Sequence, residues 1–181
     1  SAALLKAVED FGRERGMEAV VGPLGFTDMD PEGMLTWGFD KLGTMATIYN
    51  YEYYPKHMEE LGGWEKDNDY LEYLINVPDK VPEKLSKLSE MIEKRYNLHV
   101  KKLTKKEIFE GGYGNKIFKL INDTYKDIYG FSELSDRQID QYINMYFPFA
   151  DLDLITVIVD GNKDNAIAGM GITIPSLSRA L

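Results

Sequence analysis

The chain has 181 residues, enough for one sizeable core or two small ones, and its hydrophobic content of 44% with 12% aromatics excludes a disordered polymer. Lys+Arg of 21 against Asp+Glu of 30 gives a net charge of −9, which repels phosphate backbones and argues against a nucleic-acid partner. The absence of cysteine removes disulfides, thiolate nucleophiles and Cys-based zinc sites together and fits a reducing, cytoplasmic setting; no run approaches the ~18–20 apolar residues of a membrane helix, so no membrane partner is expected.

In chain order, residues 2–15 place Ala3, Leu4, Ala7, Val8 and Phe11 on one stripe and Lys6, Glu9 and Arg13 away from it, which predicts an amphipathic helix stopped by Gly16. The chain opens inside this helix with no cap before it, which suggests a piece of a longer protein. Residues 17–21 read as a buried strand ending at Gly22-Pro23. Residues 24–47 are punctuated by Gly25, Gly33, Gly38 and Gly43 and read as a long ordered loop with apolar residues of its own to bury. Within it, Asp28, Asp30 and Gly33 match the opening of a calcium loop. The twelfth position is Phe39 instead of the required glutamate, so no metal is expected, and acids satisfying turn amides is the simpler reading. Asp28 and Asp30 remain candidate substrate contacts.

Residues 44–73 hold the densest cluster of unusual features. Tyr49, Tyr51, Tyr53 and Tyr54 crowd one segment, Pro55 suits the first turn of a helix over residues 54–61, and Gly62-Gly63 end it. Trp64 then opens a strand, strongest over residues 70–75. Asn50 caps or turns the chain before the helix. Alternating Tyr49, Tyr51 and Tyr53 suit either a half-buried strand or a stacking wall for a ligand. His57 and His99 stand apart, in no metal-ligand spacing.

Val77-Pro78 and Val81-Pro82 mark a boundary, dividing the chain into residues 1–77 and 78–181. A helix over residues 81–95, a short strand at 98–102, and the capping boxes Thr104-x-x-Glu107 and Ser135-x-x-Gln138 follow. Gly111-Gly112 interrupt the first capped helix, which resumes with Ile117, Leu120, Ile121, Tyr125 and Ile128 on one face and stops at Gly130. Residues 152–159 predict a central strand buried on both faces, joined by a polar turn to an antiparallel partner at 166–174. The cluster of Lys94, Arg95, Lys101, Lys102, Lys105 and Lys106 reads as a solvated face. The fold class is α/β in the broad sense (α+β), a mixed and mainly antiparallel sheet flanked by helices.

Asn50, Tyr54 and the run Glu59-Glu60-Leu61-Gly62-Gly63-Trp64-Glu65-Lys66 resemble the last α/β unit of the GNAT acyltransferases. Residues 2–73 as a whole resemble part of a bacterial family built from two GNAT-like domains in tandem. The resemblance implies that residues 1–77 are the carboxy-terminal half of one such domain and 78–181 a linker helix with the amino-terminal half of a second; a single permuted unit is the other arrangement. It implies acyl transfer from acetyl-CoA or another acyl-CoA to an amine, the acceptor being a small molecule or a peptide. Tyr54 is then the candidate catalytic acid, Asn50 a cofactor neighbour, and Tyr49, Tyr51 and Tyr53 substrate contacts. The family's glycine-bearing pyrophosphate turn has no counterpart in this chain, so no acyl-CoA is expected to bind to it alone. Gly111-Gly112-Tyr113-Gly114 follows a helical turn instead of a strand and reads as a break. Met58 stands where the family commonly has its acidic tyrosine, which favours a second reading, a non-catalytic GNAT-like module that binds a ligand or protein. Orphaned sheet edges would also suit a homodimer.

Overall fold

A computed structural model describes residues 2–44 and 47–178. The chain divides into two compact units, one running to Tyr73 and taking in the last segment from Ser176, the other Leu74–Pro175.

The first unit holds α1 (Ala2–Glu14) and α2 (Tyr53–Leu61) joined by a long irregular stretch. Helix α1 forms along the expected stripe, and its polar side is laced by ion pairs of Lys6 with Asp10 (2.8 Å) and Arg13 with Glu9 (2.8 Å). Gly16 ends the segment with φ +70°. Helix α2 starts one residue earlier than its pattern predicts, and Gly62 and Gly63, at φ +64° and +75°, stop it in the conformation that only glycine adopts freely.

Two expectations are corrected here. Residues 17–21 and 64–75 form no strand. A strand exists only when a neighbour satisfies its amides and carbonyls, and among the described residues this unit offers none. The long loop does not bury its apolar residues either, since Phe26 and Trp37 are 93% and 82% exposed. Only Gly12 and Thr27 are buried among the described residues up to Tyr73.

The second unit is a mixed α+β structure: α3 (Glu83–Tyr96), β1 (Leu98–Lys101), α4 (Lys105–Phe109), α5 (Tyr113–Tyr125), α6 (Asp136–Tyr146), β2 (Ile155–Asp160) and β3 (Ala166–Ile172). The sheet is antiparallel in the order β1-β2-β3, with Val100 opposite Ile158 and Val157 opposite Met170, so β2 is central as its β-branched run predicts. It is shorter than predicted because the Asp151 carboxylate accepts from the Asp153 amide (3.0 Å) and winds Leu152–Leu154 into a single 3-10 turn. Burial alternates along it: Ile155, Val157 and Val159 are buried, while Thr156, Ile158 and Asp160 are half-buried, which corrects the expectation of two fully buried faces.

The core gathers Ile108, Ile117, Phe118, Ile121, Ile139 and Ile143 from the helices onto Val157 of the sheet. Both capping boxes form. Thr104 Oγ1 accepts from the Glu107 amide while the Glu107 carboxylate accepts from the Thr104 amide, and Ser135 and Gln138 repeat the pattern. Asn97, at φ +54°, ends α3. Gly112, at φ +74°, separates α4 from α5. Gly114 is buried there, and glycine suits the position because a Cβ would lie 2.9 Å from Ile143 Cδ1 and 3.2 Å from the Ile108 carbonyl oxygen, so this glycine-rich run serves helix packing.

On the sheet's other side, a groove of about 290 Å³ runs between α3 and the strands, lined by Leu85, Leu88, Ile92, Leu98, Val100 and Ile158. Among the described residues, no helix is long and apolar enough to cross a membrane.

Candidate functional site

The candidate residues of the first unit fall into two groups, a clasped loop and a tyrosine ladder. The loop is closed by short side chains. The Asp30 carboxylate accepts from the amides of Phe26 (2.8 Å) and Thr27 (3.2 Å), the turn role that its spacing suggests. Gly25 is required opposite it, since any Cβ there would overlap Asp30. Asp28 lies alongside with one carboxylate oxygen buried and without a hydrogen-bond partner. Burial, followed by the nearby charges of Asp28 and Asp30, pushes the Glu32 carboxyl above the usual range. No grouping of metal ligands occurs among the described residues.

Asn50 fastens this loop to the segment before α2. Its Oδ1 accepts from the Leu35 amide (2.7 Å), and its Nδ2 donates to the carbonyl oxygens of Leu35 (3.1 Å) and Tyr51 (3.1 Å). The side chain thus pairs with both backbone groups of a residue fifteen positions away, much as a strand neighbour would. Its local chemistry is that of a clasp that holds the tyrosines in place. The sequence carries no signal for this pairing, because nothing in the spacing of residues 35 and 50 marks it.

The four tyrosines then line up. Ring centroids are 6.2 Å apart for Tyr49 and Tyr51, edge to face, 6.0 Å for Tyr51 and Tyr53, and 4.5 Å for Tyr53 and Tyr54, the last two pairs nearly parallel. His57, one turn into α2, tilts against Tyr53 at 5.2 Å, so it belongs to this cluster although the sequence shows it as isolated. All four tyrosines are between 47% and 65% exposed, so the ladder is a surface feature. The neighbouring Tyr54 phenol, with burial secondary, holds the Tyr53 phenol above its usual range. A phenol so held is a proton donor at neutral pH. Met58 is half-buried one turn beyond Tyr54 and can neither donate nor accept a proton.

The basic cluster of the second unit is largely engaged with its own structure. Lys101 pairs with Glu107 at 2.6 Å, Lys102 donates to the Asp153 carbonyl at 2.6 Å, and Lys105 donates to the Pro148 carbonyl at 3.1 Å. His99 meets Asn97 at 3.0 Å near the hairpin turn. Anion cradles are scarce too. Among the described residues no strand runs through a glycine turn into a helix, and side-chain caps occupy the starts of α4 and α6.

No protein-family model matches the chain, and no solved structure matches it significantly. Neither comparison therefore adds support to the GNAT resemblance of residues 2–73. Among curated proteins, the chain is 23% identical over 189 residues to a bacterial ceramide synthase of Caulobacter vibrioides (strain NA1000 / CB15N). That similarity takes in 98% of this chain and 44% of the relative, so the chain spans less than half the length of the protein it resembles.

Proposed function

We propose that this chain is part of a GNAT-type N-acyltransferase that moves an acyl group from an acyl-CoA to the amine of a long-chain amino alcohol. The observation that carries the reading is the match to a ceramide synthase along 98% of the chain, which takes in the tyrosine ladder. A ceramide is an amide, so forming one from an activated acyl donor is acyl transfer to an amine. That agrees with the chemistry implied by the resemblance around Asn50, Tyr54 and Gly62-Gly63. In this reading the acyl-CoA pyrophosphate is held outside this chain, since the glycine-bearing turn of the family has no counterpart in its sequence.

Tyr54 is the proposed acid. As the amine nitrogen bonds to the acyl carbon the C–S bond breaks, a positioned phenol can protonate the departing thiolate, and the proton lost by the amine nitrogen restores the phenol. The stacking of Tyr53 on Tyr54 at 4.5 Å holds the pair, and the Asn50 clasp holds the segment that leads into them. The test is incubation of the full-length protein with a long-chain acyl-CoA and sphinganine, with products read by mass spectrometry. The reading expects an N-acyl product, and no amide from any long-chain amine or other amine tried would overturn it.

Met58 favours a second reading. A thioether in place of the family's tyrosine is what a module that kept its binding surface and gave up catalysis would carry. That module would bind long-chain amines saturably without turning them over.

A further inference from the structure

The tyrosine ladder has a chemistry that the transfer step does not use. Aromatic faces carry partial negative charge and attract cations over about 6 Å. The rings of this ladder follow one another at 4.5 to 6.2 Å, and all four are about half-exposed. Its surroundings are acidic: on α2 and the residue before it, Glu52, Glu59 and Glu60 outnumber Lys56, which itself lies 3.7 Å from Glu52. From the ladder an apolar stripe continues along α2 through Tyr54, Met58 and Leu61, spaced by four and three residues, for about 10 Å at the helical rise.

A cation-attracting head joined to an apolar track matches one class of small molecule. We propose that Tyr49, Tyr51, Tyr53 and Tyr54 bind the ammonium group of a long-chain amine, whose alkyl chain lies along the Tyr54–Met58–Leu61 stripe. This rests on the proposed acyl transfer for its biological sense, since the amine is then the acceptor, but the binding itself is tested without turnover.

The probe is octyltrimethylammonium below its micelle concentration, compared with 1-octanol, which has the same chain and no charge. Both are titrated into the chain and followed by the upfield ring-current shift of the ligand's methyl protons. The ammonium binds more tightly than the alcohol, and the Tyr51→Leu/Tyr53→Leu variant, which keeps apolar bulk and loses the rings, binds it about fivefold more weakly or worse. Octanol binding changes little. Because these rings are half-exposed, circular dichroism of the variant should match the parent, and the single Tyr53→Leu variant serves if the double one does not fold. Equal binding of octanol and the ammonium, or an ammonium affinity unchanged by the leucines, overturns the proposal. A protein that binds the ammonium through the ladder but acylates no amine keeps this inference and loses the proposed function. One that acylates amines while the leucine variants bind the ammonium unchanged does the reverse.

Discussion

Replacing Asn50 by alanine removes three hydrogen bonds at once, two of them to the backbone of Leu35 at 2.7 and 3.1 Å. A typical intramolecular hydrogen bond contributes about 1 kcal/mol net, so the clasp on Leu35 stabilises the closed loop by ~2 kcal/mol. Both Leu35 and Asn50 are half-buried, so water replaces the lost partners only after the loop has moved. If opening of that clasp limits exchange, ~2 kcal/mol corresponds to about a thirtyfold faster hydrogen exchange of the Leu35 amide. The assay is amide exchange on the parent and Asn50→Ala chains, with Ile117 as an internal reference in the core of the other unit. Accelerated exchange at Leu35, with Ile117 unchanged, is the expected result. Equal protection of Leu35 in both chains would refute the reasoning, because it would mean the side-chain pairing carries no stability.

Three further outcomes follow from the geometry. Ile117→Ala empties a site with 0% exposure in the helix-to-sheet core and should cost the second unit about 2–5 kcal/mol in chemical denaturation. The Lys101 ion pair, then the Thr104 cap bonds, hold the Glu107 carboxyl down to about 2, below its usual 4.5. The folded state therefore gains stability above pH ~4.5 that disappears as the pH falls toward 2, and Glu107→Gln should flatten that part of an acid-unfolding curve. Tyr54→Phe in the full-length protein should lower kcat by about a hundredfold or more with little change in amine affinity, if the phenol acts as the acid.

How much of this was legible depends on how local each signal is. The capping boxes at Thr104 and Ser135 and the break at Gly111-Gly112 are complete within a few residues, and each appears where the pattern puts it. The β2 strand was legible from its aliphatic, β-branched run, and it lies at the centre of the sheet. Residues 17–21 and 64–75 have strand-forming side chains too, but a strand is a property of a pair, and composition does not say whether the partner is present. The site divides in the same way. The crowding of tyrosines was visible, whereas the stacking of Tyr51 on Tyr53 and of Tyr53 on Tyr54 depends on where α2 begins. The Asn50 clasp was invisible because it joins residues fifteen apart across a segment without period.

The proposed chemistry is tested most directly by following free thiol as the full-length protein is mixed with a long-chain acyl-CoA, first without and then with sphinganine. The account predicts thiol release that begins on addition of the amine and matches the amide formed mole for mole. Thiol release that proceeds equally without the amine, or none in its presence, would contradict it.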